Sequence, residues 1–249
     1  MIRVFLPAYN EEIALPILIK KFDDVFKTAG IEYRVLVFDD GSSDRTRSIA
    51  QGLEREYPVE TRWHEKNAGL GQTMIDGFEH LAATASDEDV IISLDCDDTH
   101  EPKFAVPAIG KLKEGYDVVV LSRFGKGGGQ EGLSAFKTLM SMGAGIVLKI
   151  FFPVKGLREY SCNYRVYRAS IIRKAVRHFG RNFIRLPHLG FVAAPETLIK
   201  LRMMGARITE VPFVLRYDQK PTPSKNNSLR TIRGYLELIR LYWGRRAKA

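Results

Sequence analysis

Arg34-Val35-Leu36-Val37-Phe38-Asp39-Asp40-Gly41-Ser42-Ser43-Asp44 is the stretch that decides the fold. A five-residue β-rich run stops on two acids, a glycine and Ser-Ser-Asp. Helical spacing then follows at Thr46, Ile49, Ala50 and Leu53. A short apolar run bounded by turn residues reads as a buried strand, and Ser or Asp before a helical period reads as a helix start. The unit recurs on both sides. Residues 3–7 (RVFLP) lead through Ala8-Tyr9-Asn10-Glu11-Glu12 into an amphipathic helix over 13–29. Residues 90–94 (VIISL) lead through Asp95-Cys96-Asp97-Asp98-Thr99-His100-Glu101 into a helix over 102–113. A short strand at 59–64, a helix at 71–83 and a strand at 117–121 (DVVVL) complete the alternation. Strands alternating with helices predict an α/β, Rossmann-like fold, with a mostly parallel central sheet flanked by helices. Ligands of such sheets sit beyond the carboxyl ends of the strands, where all three polar segments fall.

The second half is less regular. It reads as a flexible glycine-rich loop over 125–132, a long apolar helix over 134–152, and a stretch over 164–178 that carries a basic helix. A helix over 196–204, a strand over 207–214 and a polar loop over 219–228 follow. A basic amphipathic helix over 228–246 closes the chain. The expected division is a catalytic domain over 1–215, then a mobile loop and the C-terminal amphipathic helix over 216–249. Within the domain, residues 1–122 and 123–215 form two halves.

Of the 249 residues, 45 % are hydrophobic and 27 % charged, which excludes a disordered or collagenous chain. Cys96 and Cys162 are too few for a disulfide framework. No secretory signal is visible, and no apolar run reaches transmembrane length. A cytoplasmic location is therefore expected. The net charge of +9 hides a division: residues 1–122 carry 13 Lys+Arg against 23 Asp+Glu (−10), and residues 123–249 carry 25 against 6 (+19). A basic half invites nucleic acid or an anionic membrane. The acidic half argues against nucleic acid, and no motif of that class is present.

Asp95 and Asp97, two residues apart at a strand end, can converge on one hard divalent cation such as Mg²⁺ or Mn²⁺. The plain alternative is a pair of solvated turn acids. Asp39 and Asp40 exceed what a helix cap needs and suit ribose hydroxyls or a base edge. Tyr9 can stack on a base, although Glu11 and Glu12 also suit a first helical turn.

Taken together these segments, with Asn67-Ala68-Gly69-Leu70-Gly71 between them, resemble family 2 glycosyltransferases of the GT-A fold. The second half extends the likeness. Leu121-Ser122-Arg123-Phe124, Gly127-Gly128-Gly129, residues 160–168 (YSCNYRVYR) and Arg207-Ile208-Thr209-Glu210-Val211-Pro212 are similar to the dolichol-phosphate mannosyltransferase branch and its bacterial polyprenyl-phosphate relatives. The resemblance covers roughly residues 2–230. It implies that Pro7, Tyr9, Glu11, Asp39 and Asp40 hold base and ribose. Asp95 and Asp97 would hold the metal and, through it, the diphosphate. The branch often carries glutamine where this chain has Thr99, whose hydroxyl can still ligate. Asn163 stands where glycine is usual. Arg123, Lys137 and Ser141 match the acceptor-phosphate positions, and Arg216, Ser224 and Lys225 match a late mobile loop. Asp97 and Arg123 would be the catalytic pair.

The implied reaction moves a sugar from a nucleotide sugar, GDP-mannose or UDP-glucose, to a polyprenyl or dolichyl phosphate. Relatives acting on hydroxyls usually carry a Glu-Asp pair whose aspartate is the base. Residues 123–249 contain no such pair; Pro195-Glu196-Thr197 stands in that region. An anionic phosphate acceptor needs no base, and a hydroxyl acceptor relying on Glu196 is the rival. A basic nucleic-acid- or membrane-binding module without catalysis is the rival of another class. Leu229, Ile232, Leu236, Ile239 and Trp243 fall on one helical face among Arg230, Arg233, Arg240, Arg245, Arg246 and Lys248. Such a helix reads as a peripheral anchor on the cytoplasmic face of a membrane. Residues 139–152 are a second candidate for the interface.

Overall fold

A computed structural model describes residues 1–189, 191–222 and 228–244. The elements run β1 (Ile2–Ala8), α1 (Ala14–Thr28), β2 (Tyr33–Asp39), α2 (Thr46–Leu53), β3 (Val59–Trp63), α3 (Leu70–Thr84), β4 (Val90–Ser93), α4 (Ala105–Lys113) and β5 (Val118–Ser122). They continue as β6 (Gly129–Glu131), α5 (Ala135–Phe151), β7 (Arg165–Arg168), α6 (Ala169–Phe179), α7 (Ala193–Met203), β8 (Ile208–Pro212), β9 (Val214–Arg216) and α8 (Ser228–Tyr242).

Seven strands form one sheet in the order β3-β2-β1-β4-β7-β5-β8. The pairs β1–β2, β1–β4, β2–β3 and β5–β8 are parallel, and β7 runs antiparallel to both β4 and β5. A strand of the basic half is thus threaded between two strands of the acidic half. Side chains alternate along β1. Val4 and Leu6 face a core with Leu15, Leu18 and Phe22 of α1, while Phe5 faces the opposite core with Phe78 of α3. The Phe5 and Phe78 rings meet edge-on at 5.6 Å. Gly77 permits this contact, because a Cβ there would fall within the Phe5 ring.

The mixed sheet flanked by helices is the α/β architecture expected, and three second-half readings are corrected. The basic stretch over 164–178 is helical from Ala169 onward, and its first part is β7. Arg165 misleads: its guanidinium is wholly buried, donating to the main-chain carbonyls of Cys162 (2.9 Å), Tyr160 (2.7 Å) and Ala194 (2.5 Å). The glycine-rich loop contains β6, paired in parallel with β9. The single strand expected over 207–214 is two strands. Phe213 separates them, its N–H held by Ser122 O (3.1 Å), and β9 leaves the main sheet for β6.

Candidate active site

The carboxyl ends of β1, β2 and β4 lie side by side, with Ala8 registered against Asp39 and Phe5 against Ser93. The segment after β1 is laced to the segment after β2. Asn10 N–H donates to Ser42 Oγ (2.8 Å), Glu11 N–H to Thr46 Oγ1 (2.7 Å) and Ser43 N–H to Asn10 Oδ1 (2.9 Å). Asn10 turns the chain at φ +54°, a conformation asparagine tolerates better than most residues. Gly41 is required for a different reason. Its φ is +66°, and a Cβ would fall 2.5 Å from the Lys66 carbonyl carbon.

Asp39 is buried, and its carboxylate accepts from the Ser42 N–H (3.3 Å) and hydroxyl. Burial pushes its pKa above the usual aspartate range, against the pull of Ser42. Asp40 is engaged differently. Oδ1 lies 2.8 Å from His64 Nδ1 and accepts from Ala68 N–H (2.9 Å); Oδ2 accepts from Asn67 Nδ2 (2.9 Å) and Gly69 N–H (2.8 Å). A carboxylate has about four acceptor positions. Asp40's are filled by the loop leading into α3, so it shapes that loop. Pro7 is buried in β1, and Tyr9, half-buried, follows the strand.

Asp95, Asp97 and Thr99 stand together beyond β4. Thr99 donates from its hydroxyl (2.6 Å) and its N–H (3.3 Å) to Asp97 Oδ1. Asp97 Oδ2 contacts Lys220 Nζ. Asn163 Nδ2 donates to Asp95 Oδ1 (3.4 Å). Burial raises the Asp95 pKa; in Asp97 burial is outweighed by Lys220, His100 and Thr99, which hold it below its usual value. Asp98, at φ +60°, turns away to pair with Lys21 (2.8 Å). Among the described residues, no group of three or more His, Cys, Asp and Glu side chains is gathered to hold a metal ion. Two carboxylates and a hydroxyl are nonetheless hard oxygen donors, and one carboxylate already carries an ammonium. This fits a divalent cation that completes its shell with water and substrate phosphate.

Of the expected acceptor residues, Arg123 and Ser141 meet directly. Arg123 donates to Ser141 Oγ of α5 (3.1 Å) and to Glu159 (2.8 Å), with both charged side chains buried. Lys137 Nζ lies 3.4 Å from the Tyr217 hydroxyl, one residue beyond Arg216. Arg216 pairs with Asp218 (2.8 Å) and Glu131 (3.2 Å). Ser224 and Lys225 lie outside the described residues, as do Arg245, Arg246 and Lys248. Glu196, the candidate base of the rival reading, is fully buried. It accepts from Arg185 N–H (2.9 Å), Leu186 N–H (3.0 Å) and Tyr242 OH (2.6 Å), with Lys200 Nζ at 3.0 Å.

A family model described as Glycosyl transferase family 2 matches residues 3–178. The chain belongs to that family. Its membership agrees with the resemblance carried by the strand-end motifs. The chain is 30 % identical over 213 residues to the dolichol-phosphate mannosyltransferase of Pyrococcus furiosus, covering 85 % of this chain and 55 % of that protein. It is 32 % identical over 173 residues to the undecaprenyl-phosphate 4-deoxy-4-formamido-L-arabinose transferase of Klebsiella pneumoniae, covering 69 % and 50 %. The chain thus spans about half the length of these curated relatives. Among solved structures it is similar to mannosyl-3-phosphoglycerate synthase from Rubrobacter xylanophilus, with TM-score 0.61, 14 % identity, and coverage of 97 % of this chain and 74 % of that one. It is also similar to glucosyl-3-phosphoglycerate synthase from Mycobacterium tuberculosis in complex with Mn²⁺ and UDP, with TM-score 0.57, 18 % identity, and coverage of 96 % and 77 %. At such identities the family 2 chain shares the fold, which is GT-A.

Four residues of the site were not legible as such. Lys220 lies in the polar loop over 219–228, Glu159 between the helix over 134–152 and the stretch over 164–178, Lys21 on the amphipathic helix over 13–29 and His64 at a strand end. Their partners are 123, 36, 77 and 24 residues away, beyond the reach of local spacing.

Proposed function

We propose that this chain is a divalent-metal-dependent, inverting glycosyltransferase that moves one sugar from a nucleoside-diphosphate sugar to a polyprenyl phosphate. Residues 1–122 take the donor, and residues 123–215 together with Arg216 take the acceptor. Tyr9, Glu11, Asp39 and Asp95 contact the nucleotide, and Asp40 holds the loop beside it. Asp95, Asp97 and Thr99 would hold Mg²⁺ or Mn²⁺, which when bound supplies Lewis-acid neutralisation of the departing diphosphate. Arg123, Lys137, Ser141 and Arg216 hold the acceptor phosphate, and Arg123 adds fixed positive charge beside the reacting groups. A phosphate oxygen attacks the anomeric carbon as the bond to the donor diphosphate breaks. The attacking oxygen is already anionic, so no proton has to be removed.

The observation that carries the acceptor class is Glu196. A carboxylate wholly buried under four donors is no general base, which must reach the proton it takes. The metal reading is also supported by the structural neighbour solved with Mn²⁺ and UDP. Both curated relatives are named for transfer involving lipid phosphates.

No described helix is long and apolar enough to cross a membrane. We place contact with the cytoplasmic face of a membrane on α5 and α8. Leu139, Ile146 and Ile150 of α5 are exposed, as are Leu229, Leu236 and Trp243 at α8, and the Phe151 and Trp243 rings join the two helices at 5.5 Å. The test is transfer by the purified chain from labelled GDP- and UDP-sugars to polyprenyl phosphate with Mn²⁺. Transfer that requires the phosphate supports the assignment, and Asp97→Ala should abolish it. Transfer to a free alcohol instead would overturn the acceptor class.

A further inference from the structure

Lys220 has no part in the transfer just described, yet among the described residues it is the cation in contact with Asp97. Its Nζ contacts Asp97 Oδ2, the oxygen that Thr99 leaves open, and its side chain is 11 % exposed. Glu11 and Asp95 add negative charge around the same ammonium. The strap carrying it, residues 216–220, is fastened along its length. Arg216 N–H donates to Thr99 O (3.0 Å), and Lys137 reaches the Tyr217 hydroxyl. Lys21 Nζ holds Gln219 Oε1 (3.0 Å) while bridging Asp98 and Glu101. Gly132, at φ +75°, lets Asp218 pass so close that a Cβ would overlap its main chain.

We propose that Lys220 is a built-in counter-ion for Asp97, and that it and a divalent cation are mutually exclusive occupants of that carboxylate. The inference rests on the reading that Asp97 takes a metal. A buried carboxylate left without a counter-charge is strongly destabilising. The chain without metal therefore needs a cation at Asp97, and supplies one from its own strap. Two cations cannot share one carboxylate oxygen at contact distance without strong repulsion. Metal loading must move Lys220 off Asp97, which frees the end of the strap. Apparent metal affinity is lowered by the fraction of molecules with Lys220 withdrawn. Lys220 is in this sense a positioning residue that couples the strap to the state of the metal site.

The test is Mn²⁺ binding by calorimetry and by electron paramagnetic resonance of free Mn²⁺, with UDP or GDP present. Wild type is compared with K220Q, K220R and K174Q, the last removing an exposed charge of α6. K220Q should bind Mn²⁺ about tenfold more tightly, and K220R and K174Q should match wild type. Without metal, K220Q should melt below wild type and gain more from added Mn²⁺. A natively folded K220Q that binds Mn²⁺ no more tightly than wild type overturns the proposal. So does K174Q tightening equally, which would make the effect one of bulk charge. Absence of Mn²⁺ binding in every protein overturns both this proposal and the metal reading beneath it, and is told apart because wild type is silent too.

Discussion

Glu159 and Arg123 form an ion pair of 2.8 Å whose side chains are 1 % and 9 % exposed. Burial alone would raise the Glu159 pKa. Arg123, with help from the Ser161 hydroxyl and N–H and the Cys162 N–H, holds it below its ordinary 4.5. A depressed carboxyl pKa contributes stability that is fully present above the unfolded value, and that is lost as pH falls through the folded one. Acidification below about pH 4.5 should therefore cost this pair's contribution. Glu159→Gln should flatten the dependence of melting temperature on pH in that acid range. At neutral pH it should lose about 3–5 kcal/mol, because Arg123 is left buried and unpaired. Thermal melts of both proteins across pH 3–7 check this; equal acid slopes would refute it. The carboxylates of this fold thus divide by their donors. Asp40, Glu159 and Glu196 are filled by protein groups, whereas Asp39 accepts from Ser42 and Asp95 from Asn163.

α8 shows how one element can be apolar on two faces. Leu238 and Tyr242 are buried, and Gly234 sits so close to Leu189 and Val192 that a Cβ would collide. The stripe legible in the sequence is the other face: Leu229 is 80 % and Leu236 63 % exposed. Exposed apolar side chains on α8 and neighbouring α5 fit a lipid interface. Ile150→Glu and Leu236→Glu should each weaken co-sedimentation with anionic phospholipid vesicles. Losing one such side chain from the apolar phase costs about 1.5–3 kcal/mol, or roughly tenfold or more in partitioning. Melting temperature should hold, because neither side chain is in the core. Unchanged vesicle binding by both variants would remove the interface from these helices. The first-half strands other than β3 were legible because they are buried on both faces and read as continuous apolar runs. β7 was not, because Arg165 and Arg168 bracket two apolar residues and a strand buries its arginine here. β6 is three residues, Gly-Gln-Glu, and exists through its partner β9, more than eighty residues on.

The molecule as a whole joins an acidic and a basic half through one sheet, with β7 lying between β4 and β5. Glu196 ties several elements of that assembly together. Through it the main chain at Arg185 and Leu186, the Lys200 ammonium of α7 and the Tyr242 hydroxyl of α8 converge on one buried carboxylate. Its position in sequence suits a base, and its surroundings suit a tie between elements. Those two roles make opposite demands on Glu196→Gln. Neutralising a base collapses turnover and need not unfold the protein. Neutralising this tie leaves Lys200 buried without its counter-charge and replaces one acceptor by a donor facing groups that already donate. The cost should be about 3–5 kcal/mol of stability, visible as a lower melting temperature. Turnover with polyprenyl phosphate, corrected for the folded fraction, should stay within a few-fold of wild type. The reverse pattern, unchanged melting with turnover lost by a hundredfold or more, the low end of what a general base supplies, would restore Glu196 as the base and with it a hydroxyl acceptor.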